Sequence, residues 1–337
     1  MWKLYLSLYY FTLILGTSIA ITASSWIIVW MGLEVNLLAL MPLMYLLNKK
    51  NTTEATIKYF IVQTLASSMF LFTAIFLSTQ FLKESMEFNM IKSFLMCSAL
   101  LLKIGAAPFH FWLPEVSAGS DWKMVYIILT WQKMAPMIII YQTMTNPMYF
   151  SIIIIFSSII SGIQGMNQTC LRKIMAYSSI NHSSWMIAAI LSSLTLWVYY
   201  FVIYMMINFS IIMILNKFNI FYTPQLNKFM TPNKMMKFIL MLSFFNLGGL
   251  PPFLGFLPKW MVILNITQNK FFLLATLLII FTLITLYFYT RITMSSFSIN
   301  SEESMTNFFV KMNYFKMLTS ILSLTSLMMC TFFISNL

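Results

Sequence analysis

The chain is organised by long, unbroken apolar runs separated by short polar stretches. The runs are near twenty residues, the length at which an α-helix crosses the hydrocarbon of a bilayer. They predict helices at about 4–22, 25–47, 55–79, 88–113, 123–145, 148–166, 172–192, 195–216, 236–265, 270–291 and 316–335. Strands of a membrane barrel would alternate apolar and polar positions over about ten residues, and no such alternation is present. A helix also satisfies its own backbone hydrogen bonds, which lipid cannot do. The expected fold is therefore all-α and integral to the membrane, with about eleven transmembrane helices. Only the connections 217–235 and 292–315 are long, so residues 1–337 read as one polytopic domain.

Two of the predicted helices are interrupted. The fourth contains Gly105-Ala106-Ala107-Pro108-Phe109-His110, and the ninth contains Gly248-Gly249-Leu250-Pro251-Pro252-Phe253. Proline removes a backbone donor and clashes with the preceding turn, and glycine contributes little helix preference. A gap in the ladder at membrane depth is tolerated only beside protein or water. The interruptions stand five helices apart, which suggests a five-helix repeat over about 1–147 and 148–292, followed by a final helix at about 316–335. Because five is odd, the second copy enters the membrane upside down. Inverted repeats with broken helices at matching places are a transporter architecture; the alternative is two unrelated proline kinks.

Composition agrees with lipid as the solvent. Hydrophobic residues make up 60% and charged residues 8%, against roughly 25% charged in soluble domains. The formal net charge is +12, which in a soluble chain would suggest nucleic acid. Here most basic residues lie between apolar runs and read as orientation signals, so no nucleic-acid partner is expected. One side carries Lys3, Lys49, Lys50, Lys58, Lys123, Arg172, Lys173, Lys217, Lys228, Lys234, Lys237, Arg291, Lys311 and Lys316; the other carries Lys83, Lys92 and Lys270. The asymmetry predicts an N-terminus inside and a C-terminus outside. The run after Lys3 is read as a first membrane helix rather than a signal peptide. Cys97, Cys170 and Cys330 have no metal-like spacing and suggest no disulfide framework.

Four charged residues fit no loop: Glu34, Lys103, Lys133 and Lys259. A charge at the bilayer centre costs at least about 2.5–3.5 kcal/mol on insertion scales, and such residues usually face a polar interior and carry function. Proton transfer fits them. Lysine ordinarily holds its proton tightly, burial disfavours the ammonium, and a nearby carboxylate reverses part of that effect. A lysine whose carboxylate partner approaches or recedes is thus a site of adjustable proton affinity, a role closed to arginine. Glu34 and Lys103 are the expected pair, with Lys133 and Lys259 as further stations; structural ion pairing between helices is the competing reading. His110, in the first interruption, and His182, in the polar band Ser178-Ser179-Ile180-Asn181-His182-Ser183-Ser184, suit a relay near neutrality, although such bands also hold helices together. No metal site is expected. There is no dinucleotide fingerprint, Walker loop or CxxC pair, so energy must come from a partner subunit or an ion gradient.

Four segments together resemble the proton-channel, antiporter-like membrane subunits, in particular the subunit-2 branch of mitochondrial NADH dehydrogenase. They are Gly32-Leu33-Glu34; Leu102 to Val116, with Lys103, Pro108, His110 and Pro114; Ala176 to His182; and Gly249 to Trp260, with Pro251, Pro252 and Lys259. The resemblance covers almost the whole chain. It implies that Glu34 pairs with Lys103, that Lys133 connects the halves, that Lys259 is the lysine of the second broken helix, and that a hydrophilic axis runs through these groups. It further implies a core subunit of proton-translocating NADH:ubiquinone reductase (complex I) in the mitochondrial inner membrane, with the N-terminus in the matrix and the C-terminus in the intermembrane space. No cofactor is expected in this chain; FMN, iron–sulfur clusters, NADH and ubiquinone belong to other subunits. Bacterial relatives have about fourteen helices, so the loss of three N-terminal ones exposes a face for neighbouring antiporter-like or accessory subunits, and lipids cover the rest. The richness in Met, Ile, Phe and Asn is consistent with an AT-rich mitochondrial genome, such as an insect's. Two rivals are a cation/proton antiporter subunit of the Mrp type and a structural membrane subunit.

Overall fold

The computed structural model describes residues 2–45, 50–78, 86–144, 146–229, 234–251 and 253–297; the helix expected at 316–335 lies outside them. Every regular element among these residues is an α-helix, and the only strand-like pairing is an isolated bridge between Cys170 and Tyr222. The chain forms two compact units, residues 1–153 and 154–337.

The first unit contains α1 (Trp2–Thr22), α2 (Trp26–Tyr45), α3 (Lys50–Ser78), α4 (Met86–Ile104), α5 (Trp112–Gly119), α6 (Trp122–Leu129) and α7 (Trp131–Thr143). Helix α8 (Pro147–Met166) runs across the boundary. The second unit continues with α9 (Leu171–Ser192), α10 (Leu194–Phe218), α11 (Thr223–Phe229), α12 (Lys234–Gly248), α13 (Phe256–Gln268) and α14 (Phe272–Phe297). Seven spans among the described residues are long and apolar enough to cross a membrane: α1, α2, most of α3, α6 with α7, α8, α10 and most of α14.

In lipid there is no hydrophobic gain between apolar helices, so close packing decides which faces meet. Helices α1 and α2 show how the sequence arranges this. A Cβ on Gly32 would lie 2.6 Å from the Ala20 nitrogen, and one on Gly16 would lie 2.9 Å from the Asn36 nitrogen. The two backbones therefore touch along a stripe of small residues. That contact fixes the rotation of α2, and with it the placement of Glu34 and Asn36.

Helix α9 is too polar to qualify as an apolar span, yet Ile174 to Ile190 is buried without a break. Its Ser, Asn and His side chains are tolerated because protein, not lipid, surrounds them.

Several expectations are corrected. The helix expected at 123–145 is interrupted at Thr130, where φ is −116° and ψ −75°. The Thr130 hydroxyl donates to the Tyr126 carbonyl at 2.6 Å, a back-bond that bends helices, and Pro136 withholds the donor that Gln132 would use. The fourth helix does not end at 113; after its interruption it resumes as α5 and runs to Gly119. The expected loop 217–235 contains α11. Lys58 and Lys92 lie inside α3 and α4, within the helices expected at 55–79 and 88–113. Lys92 is 5% exposed, with its ammonium 4.6 Å from the centre of the Phe76 ring.

Candidate functional site

The two interruptions have the same local construction. At Gly105 (φ +76°) the N–H bonds to the carbonyls of Leu101 and Leu102, and the next N–H, of Ala106, bonds to Leu101. At Gly249 (φ +77°) the N–H bonds to Phe245 and Asn246, and the next N–H, of Leu250, bonds to Phe245. This is the Schellman closure of a helix C-terminus, and its left-handed position is why glycine stands at both places. Each interruption ends one helix inside the unit and leaves carbonyl groups without their usual partners.

In the first unit those carbonyls are taken by side chains. Trp112 Nε1 donates to Leu102 O at 3.1 Å, and Gln63 Nε2 donates to Lys103 O at 3.4 Å. Lys103 sits on the last turn of α4 and is 6% exposed. Beside it is a cavity of about 10 Å³ with a polar lining of Asn36, Tyr59, Gln63, Lys103 and Gln132. That is near the lower limit for one water, and such a lining supplies the polar partners a water needs. Gln132 Nε2 donates to Asn36 Oδ1 at 3.2 Å, which ties α7 to α2 across the cavity. Ring contact between Tyr59 and Trp112, with centroids 5.8 Å apart, ties α3 to α5.

Glu34 is half-buried on α2, and its Oε2 is buried without a hydrogen-bond partner. Its charge acts on both Lys103 and Tyr59, but it stops short of ion-pair contact with Lys103. Lys103 lines the small polar cavity and Glu34 does not, and the expected pair makes no ion-pair contact. Lys133 stands three residues after Thr130 on the first turn of α7 and is 1% exposed. His110 is 1% exposed, with Nδ1 3.3 Å from the Pro108 carbonyl inside the interruption.

In the second unit Lys259 lies on the first turn of α13, past the interruption, and is 6% exposed. Its Nζ donates to Gly248 O at 2.9 Å and to Leu247 O at 3.3 Å. Gly255 donates to Asn246 Oδ1 at 2.6 Å, and a Cβ on Gly255 would collide with the Asn246 carbonyl. Helix α13 is seated so closely on the end of α12 that only glycine fits there. It also packs against α9 and α10. On α9, His182 Nδ1 is 2.9 Å from the Tyr200 hydroxyl, and its ring lies 5.0 Å from that of Tyr204. Asn181 Nδ2 donates to Thr285 Oγ1 at 3.2 Å. Asn208 is fully buried and both of its amide atoms lack a protein partner, as does Asn181 Oδ1. Buried orphans of this kind mark places for ordered water.

Lys103 and Lys259 are therefore built differently. Lys103 precedes its glycine by two residues and has a carboxylate nearby; Lys259 follows its glycine by ten and is held by main-chain carbonyls. Sequence reasoning missed Tyr59, Gln63 and Gln132 around Lys103, and Tyr200 and Asn208 near α9. Gln63 carried the clearest signal, as an amide in the middle of an apolar run.

The family described as NADH:quinone oxidoreductase/Mrp antiporter, transmembrane, matches residues 23–285. NADH-ubiquinone oxidoreductase chain 2 of Anopheles gambiae is 44% identical over 324 residues, covering 94% of this chain and 94% of the relative. That of Locusta migratoria is 39% identical over 324 residues, covering 95% of this chain and 94% of the relative. Among solved structures, a chain of respiratory complex I from Thermus thermophilus is similar with a TM-score of 0.84 at 21% identity, over 95% of this chain and 77% of that one. At that identity the likeness is one of fold. By sequence, the chain belongs to the NADH:quinone oxidoreductase/Mrp antiporter membrane family, in the branch formed by NADH-ubiquinone oxidoreductase chain 2.

Proposed function

We propose that this chain is the proton-translocating chain-2 subunit of mitochondrial complex I, and that it moves protons through its buried lysines. The relatives' close match over nearly their whole length supports the first part. It favours complex I over an Mrp antiporter, since the family description covers both and these relatives belong to the first. The chain is then a multi-pass protein of the inner membrane that takes part in an oxidoreductase while other subunits carry the redox centres. Neighbouring membrane subunits cover part of its apolar surface and lipid covers the rest. The N-terminus faces the matrix in this reading, which rests on the distribution of loop lysines. The five-helix inverted repeat is supported by the shared closure at Gly105 and Gly249.

The relay reading rests on one observation. Lys103, Lys133 and Lys259 are each almost wholly buried, and each lies within a few residues of a helix end created inside a unit. A continuous helix has no free main-chain groups to offer a buried charge, whereas an interrupted one does. In the first unit Glu34, Lys103 and Lys133 form the relay, with His110 beside the interruption; in the second unit Lys259 does, with His182 on α9. A proton moving against the membrane potential gains about 2.3 kcal/mol per 100 mV. Each station must therefore release as well as bind. Purification of the chain with flavin and iron–sulfur subunits tests the assembly. Proton pumping with Lys103→Met tests the relay; full pumping in an assembled complex would reject it.

A further inference from the structure

Tyr289 on α14 is a titratable side chain buried to 1% exposure. Helix α14 packs against both α9 and α12, and Tyr289 faces both. Toward α12 its ring stacks with that of Phe244, centroids 6.3 Å apart, and its Cδ2 would lie 3.6 Å from a Cβ on Gly248. Gly248 is the residue whose carbonyl accepts from Lys259 Nζ at 2.9 Å. Toward α9, the Tyr289 hydroxyl is acted on by Ser178, which stands one turn before His182. Thr285, one turn before Tyr289, accepts from Asn181 Nδ2 at 3.2 Å. Tyr200, whose hydroxyl is 2.9 Å from His182 Nδ1, is close enough to Tyr289 for the two to interact electrostatically.

Packing does not account for the hydroxyl. Tyr289 Oη is buried, and Ser178 stops short of a hydrogen bond to it. Oδ1 of Asn181, the residue bonded to Thr285, is likewise buried without a partner. Ser178 donates its own proton to Met175 O at 2.7 Å, so toward Tyr289 it offers only an acceptor. A buried hydroxyl left unmet costs stability. Phenylalanine would fill the same ring site against Phe244 without that cost. An orphaned polar atom in such a place calls for a function or for bound water.

We propose that Tyr289 is a further relay residue of the second unit, whose hydroxyl passes protons between the α9 polar band that holds His182 and the α12 end that holds Lys259. The hydroxyl donates its proton to one neighbour while its oxygen takes a proton from the other. The phenol is neutral before and after, and rotation about the C–O bond resets it. Water completes the bonds that the protein leaves open at Tyr289 Oη and Asn181 Oδ1, and transfer through one bridging water meets the geometric requirement. The proposal rests on the reading of His182 and Lys259 as proton stations.

The test places Tyr289→Phe in the assembled complex in proteoliposomes. Thermal midpoint and NADH-driven proton flux per assembled complex are measured. The variant keeps the ring and deletes the unmet hydroxyl, so the midpoint should hold or rise while the flux falls. A role in packing alone gives the same midpoint with unchanged flux, and that result would overturn the proposal. So would a loss of flux that only follows a loss of assembled complex. Tyr287→Phe is the control, two residues earlier on α14 and 58% exposed. It should change neither quantity, and an equal fall of flux there would overturn the assignment to Tyr289. Lys259→Met separates the two levels. If it stops the flux while Tyr289→Phe is silent, the relay stands and the hydroxyl link fails. If it leaves the flux intact, the relay reading fails at Lys259 and the role of Tyr289 fails with it.

Discussion

Lys58 on α3 and Glu115 on α5 meet with Nζ 2.8 Å from Oε2, and the same ammonium lies 2.8 Å from Glu54 one turn earlier on α3. The triad bridges the short helix after the first interruption and the helix that carries Tyr59 and Gln63. Gly119 strengthens the contact, since a Cβ there would lie 2.6 Å from the Asn51 carbonyl. Both partners of the Lys58–Glu115 pair are partly exposed, and exposed pairs contribute little.

Glu115→Gln should therefore leave the amount of assembled complex within about twofold of normal. Lys58→Glu should do more harm, because it places three carboxylates together, two of them at i and i+4 on one helix. Native-gel quantification of the complex and its thermal midpoint distinguish the two. Equal behaviour of both variants would mean that the triad is irrelevant to seating α5.

Two glycines beside the second interruption should respond in opposite ways. A Cβ on Gly255 collides with the backbone carbonyl of Asn246, whereas one on Gly248 meets nothing closer than 3.6 Å. Backbone cannot step aside as a side chain can. Gly255→Ala should reduce assembled complex severely, in line with overpacking costs of about 1–3 kcal/mol or more. Gly248→Ala should leave the assembled amount unchanged, since its φ is not in the left-handed region. The measurement is subunit abundance in the membrane.

Legibility of the fold in the sequence followed the physics of each feature. Apolar runs located most of the helices because lipid demands unbroken hydrophobic length. The interruptions at Gly105 and Gly249 were visible because glycine and proline act locally. The break at Thr130 was not visible, because it depends on where a hydroxyl turns and no glycine marks it. Lys103, Lys133 and Lys259 stood out as charges with no loop to occupy. Their partners did not stand out: Gln63 and Gln132 meet Lys103 and Asn36 only through contacts spanning 40 and 96 residues of sequence. Glu34 and Lys103 were anticipated as a pair, and they make no ion-pair contact.

That refinement shapes the next prediction. Glu34 has a buried, unpartnered Oε2 and acts on Lys103 through space. Glu34→Gln keeps the shape and removes the charge, so packing should survive. Lys103 should lose electrostatic support. Pumping coupled to electron transfer should fall at unchanged assembly. Unchanged protons per electron pair and unchanged turnover would show that the carboxylate has no part in translocation.

Lys133 gives the sharpest separation of a relay from a structural cation. It is 1% exposed, among the largest fully buried side chains of the described residues, and it stands one turn past the Thr130 break. A relay must exchange its proton, so it should fail with Lys133→Met, which cannot bind one, and with Lys133→Arg, which cannot release one. A structural cation should tolerate Arg better than Met, because the charge is kept. Arginine is bulkier and the site is close-packed, so part of any loss could come from misfit. The amount of assembled complex reports that part separately, and pumping is then compared per assembled complex. The expected outcome is loss of proton movement in both variants at comparable assembly. Pumping near normal with Arg and absent with Met would show that a fixed charge suffices at this position, and would remove Lys133 from the proton path.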